Sequence, residues 1–255
     1  MGKGKLAKFA DMAANPLVVE CPYATLHADG FDLRGRWNRD FFRNERPLVL
    51  ELGCGRGEYT MGLARMFPDR NYIGVDIKGA RMWTGAQEAR REGMDNVGFL
   101  RANIEFIDRF FAPGEVSEVW LTFSDPQMKK VSKRLTGTAF MQRYRAFMQD
   151  GGLMHLKTDS NFLYTYTREM LSANGIKPLA ETRNLYAEPS EGMLALAQSI
   201  QTYYESMWRA RGIDIKYLCF SLPLQGALTE PEVDIPLDEY RSYSRQKRSS
   251  LEVGR

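Results

Sequence analysis

The stretch from Pro47 to Asp76 admits few folds. It opens on an apolar run, Leu48-Val49-Leu50-Glu51-Leu52, and passes into a glycine-rich turn, Gly53-Cys54-Gly55-Arg56-Gly57. An amphipathic segment follows from Glu58 to Phe67. A second apolar run, Tyr72-Ile73-Gly74-Val75, then ends on Asp76. Strand, tight turn, helix, strand is a βαβ unit.

Such a unit suits a nucleotide-like ligand at a strand's carboxyl end. Glycines let the backbone approach a ligand and take unusual dihedral angles. The first N–H groups of the next helix face the same crevice. Asp76 lies about 20 residues past the glycines, where a carboxylate reaches ribose hydroxyls. The spacing is G-x-G-x-G, not the G-x-G-x-x-G/A of dinucleotide enzymes. An acid, Glu51, also stands just before Gly53. A pyrophosphate would be repelled by it, whereas a cationic ligand would be attracted. S-adenosylmethionine carries a sulfonium and an α-ammonium and no phosphate. A site for it is therefore the favoured reading over a dinucleotide site or a purely structural turn.

With 255 residues the chain supports one substantial domain with appendages. No apolar run approaches about 20 residues, so no membrane span is expected. The N-terminus, Met1-Gly2-Lys3-Gly4-Lys5-Leu6, lacks both an apolar signal core and a myristoylation pattern, so the cytoplasm is the expected location. Cys21, Cys54 and Cys219 are widely spaced, and His27 and His155 are the only histidines. They form no disulfide framework or metal-ligand pattern, and no metal is expected. The net charge of +3 permits an anionic partner, and the positions of the cations matter more.

Residues 1–20 read as a loosely docked arm, and 1–45 as that arm plus a lead-in helix. Arg34, Arg36, Arg39, Arg43 and Arg46 in this lead-in are either a solvated face or phosphate contacts. Gly79 to Glu92 is helical, with Met82, Ala86 and Ala89 facing a core. Asn96 to Arg101 is the third strand. Asn103 after it either reads an adenine edge or caps a helix. Glu118 to Phe123 is the fourth strand, closed by Ser124-Asp125-Pro126. That acid lies over the ligand crevice, unless it makes only an Asx turn.

From Gln127 to Gln149 the chain carries Lys129, Lys130, Lys133, Arg134, Arg143 and Arg145 and no acid. A polyanion groove fits this run, with a solvated basic loop as the plainer alternative. Gly152 to Lys157 is the fifth strand. It ends in Thr158-Asp159-Ser160, with Asp159 on the active edge and an N-cap for Asn161 to Ala173. Lys177 to Arg183 reads as a further strand, 184–211 as a long excursion with a helix-like end, and Ile215 to Leu222 as the last strand. Beyond Pro223, residues 223–255 read as an irregular, poorly ordered polar tail, whose Arg241, Arg245, Lys247 and Arg248 are candidate RNA contacts. The alternation gives an α/β class with a mostly parallel sheet in a core of 46–222.

Several segments occur here in a particular order: Leu50 to Glu58, Gly74-Val75-Asp76, Phe123 to Pro126 with Lys129-Lys130, Thr158-Asp159, and Thr202-Tyr203-Tyr204-Glu205. Together they resemble the tRNA (guanine-N7)-methyltransferase family over roughly 45–222. The resemblance implies a Rossmann-like, seven-stranded, mostly parallel sheet with helices on both faces, the class I methyltransferase fold. It implies methyl transfer from S-adenosylmethionine to N7 of a variable-loop guanosine in tRNA. Glu51, Gly53, Gly55, Asp76 and Asn103 fall on cofactor-binding positions, and Asp125 on the catalytic aspartate that borders them. Lys129, Lys133, Arg134, Asp159, Thr202, Tyr204 and Glu205 fall on substrate-binding positions. No obligatory protein partner is evident, and the chain is expected to act as a monomer or homodimer. Ser124 and Gln127 depart from the family's Phe-Pro-Asp-Pro-Trp, where a lost aromatic weakens base stacking or repacks the loop. Two alternatives stand beside this reading: a methyltransferase of another substrate, and a non-catalytic tRNA-binding paralogue.

Overall fold

The computed structural model describes residues 3–187 and 189–242. Its centre is one eight-stranded sheet in the order β1-β4-β3-β2-β5-β6-β8-β7. The strands are β1 (Val18–Glu20), β2 (Leu48–Leu52), β3 (Asn71–Asp76), β4 (Val97–Arg101), β5 (Val116–Thr122), β6 (Met148–Thr158), β7 (Ala180–Thr182) and β8 (Lys216–Ser221). Pairing is parallel from β1 through β6, and β8 is antiparallel to both β6 and β7. All five residues of β2 are buried, as expected for a strand covered on both faces.

The helices are α1 (Lys3–Ala13), α2 (Tyr23–Ala28), α3 (Glu58–Met66), α4 (Gly79–Glu92), α5 (Thr138–Arg145), α6 (Asn161–Ala173), α7 (Gly192–Ser199), α8 (Tyr203–Arg209) and the short α9 (Glu239–Ser242). They divide the apolar core in two. Trp37, Phe111, Leu121, Phe140 and Leu163 lie on one face of the sheet, and Tyr59, Met82, Trp120, Trp208 and Tyr217 on the other. Met82, Ala86 and Ala89 are all fully buried, as the helical spacing of that segment requires. No described helix is long and apolar enough to cross a membrane.

The sheet has eight strands where seven were expected, because residues 3–20 are docked and end in β1, where a loose arm was expected. Met12 is fully buried, Trp83 Nε1 donates to Asp11 Oδ2 at 2.9 Å, and Asn15 Nδ2 donates to the Ala86 carbonyl at 3.0 Å. These contacts dock α1 on α4 and deliver β1 to the edge strand β4. Alternating small and lysine residues hid this packing stripe from inspection. The arginines of the lead-in belong to a solvated face: Arg36 and Arg39 pair with Asp40, and Arg46 with Asp95. Trp37 and Phe42 anchor this π-helical turn (Trp37–Phe42) in the core.

The first part of the C-terminal tail is also packed. Glu230 accepts from Thr138 and from Tyr166 Oη, and Asp238, only 5% exposed, accepts from the Phe162 amide. Isolated polar residues reaching back to distant helices have no periodicity, so the sequence reads as irregular. Arg245, Lys247 and Arg248 lie outside the described residues, as does the side chain of Arg241.

Candidate active site

Strand order reverses at β2, with β3 and β4 on one side and β5 and β6 on the other. The carboxyl ends of β2, β3 and β5 therefore open onto one crevice at the topological switch point. Gly53, Gly55 and Gly57 cross it with φ of 86°, 57° and 76°, a left-handed path that suits residues without Cβ. A Cβ on Gly53 would meet nothing within 4 Å, so that part of the turn faces open space. A Cβ on Gly85 of α4 would come 2.6 Å from the Arg56 carbonyl, so glycine lets α4 pack on the turn.

Two acids brace this turn. Asp76, ending β3, accepts from the Gly55 amide at 3.0 Å and the Lys78 amide at 2.8 Å. Glu51 is 4% exposed and accepts from Thr60 N at 2.8 Å, Thr60 Oγ1 at 2.5 Å and Thr122 Oγ1 at 2.5 Å. Burial pushes its carboxyl up to about 7, against the opposing effect of the Thr122 and Thr60 hydrogen bonds. Thr60 and Thr122 were not singled out from the sequence. The signals were present: Thr60 lies in the first turn of α3, and Thr122 shares the strand face of Glu118 and Trp120.

The crevice continues in two directions. Beyond Asp76 a pocket of about 310 Å³ is lined by Ile77, Ala102, Asn103, Phe106, Tyr23 and Leu26. Its walls are mainly apolar and aromatic and suit a planar ring. Beyond Asp125 an open cleft of about 360 Å³ is lined by Asn103, Glu105, Asp125, Gln127, Lys130 and Lys133. Asn103 belongs to both, and its Oδ1 caps the following 3₁₀ turn by accepting from Glu105 N at 3.1 Å. Asp125 makes an Asx turn, Oδ1 accepting from Gln127 N at 3.0 Å, while the residue itself stays exposed. Phe123 and Gln127 on either side have φ of 52° and 46°. Non-glycine residues held there are costly and cluster at functional sites. The Ser124 hydroxyl between them is buried and has no partner among the described residues.

The basic run is less open than its sequence implies. Arg134 is 2% exposed and does not face a phosphate groove. Its guanidinium sits 3.9 Å from the Tyr166 ring centroid and donates to the Pro126 and Gln127 carbonyls at 3.1 Å. It therefore shapes the loop that carries Asp125. Lys133 pairs with Glu105, and Arg143 with Asp108 at 3.5 Å, acids supplied by another part of the chain. Arg145 donates to the Gln225 and Gly226 carbonyls. Lys129 and Lys130 remain exposed, without an acidic partner among the described residues. Arg134→Ala is expected to lower stability by at least about 2 kcal/mol, because carbonyls buried under charge-assisted bonds lose their donor. Thermal melting checks this, and an unchanged midpoint would return Arg134 to the surface.

Three other expected contacts are buried. Glu205, fully buried, pairs with Lys157 Nζ at 2.8 Å and accepts from Tyr186 Oη at 2.6 Å. Thr202 and Glu205 form a reciprocal capping box at the start of α8. The Thr-x-x-Glu spacing signals that box directly. Glu205 and Thr202 thus place α8 and do not present free groups to a ligand. Tyr204 is half-buried, its ring edge-on to Tyr203 at 6.1 Å, and Tyr203 N donates to Glu58 at 3.3 Å beside the glycine turn. Asp159 follows β6, next to the β5 end that carries Asp125, and is fully buried, with Oδ2 accepting from Tyr240 Oη at 2.9 Å.

A sheet of this order, with a glycine turn and acids at its switch point, defines a class I, Rossmann-like methyltransferase fold. Among solved structures, that of the 16S rRNA methyltransferase KamB superposes with a TM-score of 0.53 at 17% identity, covering 69% of this chain and 88% of that one. A family model described as putative methyltransferase matches residues 45–218. The tRNA (guanine-N(7)-)-methyltransferase of Bacteroides fragilis is 58% identical over all of both chains. That of Porphyromonas gingivalis is 54% identical over 93% of this chain and 98% of its own. That of Bacillus subtilis is 34% identical over 71% and 83%. The chain belongs to the tRNA (guanine-N7)-methyltransferase family.

Proposed function

We propose that this chain transfers a methyl group from S-adenosylmethionine to N7 of a variable-loop guanosine in tRNA, without a second kind of subunit. The observation that carries the reading is the exposed Asp125 with Lys129 and Lys130 on one strained loop, above a crevice braced by Glu51 and Asp76. The residues present fit S-adenosylmethionine. Open space above Gly53 accommodates its chain, the acids suit its cationic groups, and the Ile77–Ala102–Phe106 pocket suits a purine.

When bound, S-adenosylmethionine supplies a methyl group on a good leaving group. N7 of guanine already carries an in-plane lone pair and needs no general base. The chain's task is alignment and exclusion of water. Positive charge grows on the purine as the bond forms, and the Asp125 carboxylate offsets it. Carboxylates beside the base also accept from guanine N1–H and the amino group, which adenine cannot match. Glu205 is not among them, since Lys157 and Tyr186 already engage it.

The direct test is labelled methyl transfer to unmodified tRNA, then borohydride and aniline treatment, which cleaves at 7-methylguanosine. Label with variable-loop cleavage is expected. Label without that cleavage would overturn the N7 assignment, and binding without label would favour the non-catalytic paralogue.

Two further outcomes follow from charge. Lys129→Ala with Lys130→Ala is expected to weaken tRNA binding and reduce its log–log salt slope by about 1.5–2, leaving S-adenosylmethionine affinity unchanged. An unchanged salt slope would remove both lysines from the phosphate path. Affinity for S-adenosylmethionine is expected to rise with pH through about 7, as Glu51 loses its proton and attracts the cation. Isothermal titration at several pH values checks this, and Glu51→Gln should flatten the profile. In the free protein the sign is opposite for folding. Glu51 binds its proton more tightly folded than unfolded, so its contribution to stability declines as pH rises from about 4.5 to 7.

A further inference from the structure

The pocket beyond Asp76 has two walls of different origin. One is built by Ile77, Ala102 and Phe106, which follow β3 and β4 at the carboxyl edge of the sheet. The other runs from Glu20, at the end of β1, through Tyr23 and Leu26 of α2. The family model begins at residue 45 and does not include this second wall. Parallel pairing sets Glu20 beside Arg101, so β1 carries the row of strand carboxyl ends one strand past β4. Side chains fix it there. Arg101 Nη1 pairs with Glu20 Oε2 at 3.1 Å, and the same guanidinium lies 4.7 Å from the centre of the Phe9 ring of α1. Leu26, 4% exposed, anchors α2 in the core. Tyr23, three residues earlier on the same helix face, is 57% exposed. Its ring is tilted by 40° to that of Phe106, with centroids 5.0 Å apart. Two aromatic rings on a mainly apolar cavity give a planar ligand faces to cover.

We propose that residues 20–26 form the outer wall of the cofactor's purine pocket, with Tyr23 its main contact. This rests on the reading of the chain as an S-adenosylmethionine-dependent enzyme. The segment α1–β1 then belongs to the cofactor site as well as to the sheet edge. Binding and docking are linked by reciprocity: the factor by which the docked wall raises cofactor affinity is the factor by which bound cofactor favours the docked wall.

The test titrates the full chain with S-adenosylmethionine and with 5′-methylthioadenosine, which keeps the purine and lacks the amino-acid end. Tyr23→Ala is expected to raise both dissociation constants roughly tenfold, an ordinary loss when a base is deprived of an aromatic face. Tyr23→Phe keeps the ring and should bind as the wild type does. Hydrogen exchange on the wild-type chain gives a second readout that needs no substitution. Saturating S-adenosylmethionine should slow exchange of the amides in 18–26 by at least the same factor. Suppose the wild type binds both compounds. If Tyr23→Ala then binds S-adenosylmethionine equally well, or loses affinity for it alone, or the 18–26 amides gain no protection, the wall is overturned and the cofactor reading stands. If the wild type binds neither compound, the cofactor reading fails and the wall fails with it.

Discussion

Asp125→Asn is expected to lower kcat by roughly 100-fold or more, with little change in the dissociation constants of S-adenosylmethionine and tRNA. Asparagine preserves the Asx turn, because its side-chain oxygen still accepts from Gln127 N. The loop geometry and the path of Lys129 and Lys130 are therefore retained. In the proposed mechanism, what is removed is a negative charge beside a ring that becomes cationic only as the methyl group arrives. An interaction made chiefly in the transition state appears in kcat and not in binding. Losses of roughly 10²–10³ are typical when one preorganised electrostatic partner is taken away. Single-turnover kinetics at saturating substrates give the number. Near-wild-type turnover would assign the chemistry to alignment alone and leave Asp125 a turn residue.

Glu205→Gln is expected to destabilise the fold by about 3–5 kcal/mol, the cost of leaving one member of a buried pair uncompensated. Lys157 is fully buried against Glu205, the Ala197 and Ile200 carbonyls and the Tyr59 ring. Burial already holds its ammonium down at about 8, outweighing the help it receives from Glu205. Without that help the folded state would bind the proton still less firmly at neutral pH. Chemical denaturation at pH 7 measures the loss, and Lys157→Met added to Glu205→Gln should restore part of it. A substitution that left stability intact while abolishing tRNA binding would instead make Glu205 a base contact.

Glu205 marks where reading residues in order stops being informative. Its motif is legible as a chain feature, and the Thr-x-x-Glu spacing even announces a helix cap. Nothing local reveals that Lys157, on β6, lies beneath it. Arg134 is similar: six cations without an acid look like an open basic face. The acids that meet them, Glu105 and Asp108, come from a turn between β4 and β5. The aromatic rings over Arg134 come from α6.

Local patterns alone determined the βαβ unit, the glycine turn, the acids at its two strand ends, the core face of α4 and the Asp125–Lys130 loop. Each depends on residues within a few turns of one another, where periodicity and dihedral preference act directly. Tertiary structure decided which polar groups remain available. It buried Glu51 against Thr60 and Thr122, withdrew Arg134 and Glu205 into the scaffold, docked α1 on α4 and added β1 to the sheet as an eighth strand. It also laid Tyr240 on Asp159, 81 residues earlier in the chain. The reason is physical: a charged side chain is free or engaged according to burial and partners, and those are set by elements that meet only when the chain has folded.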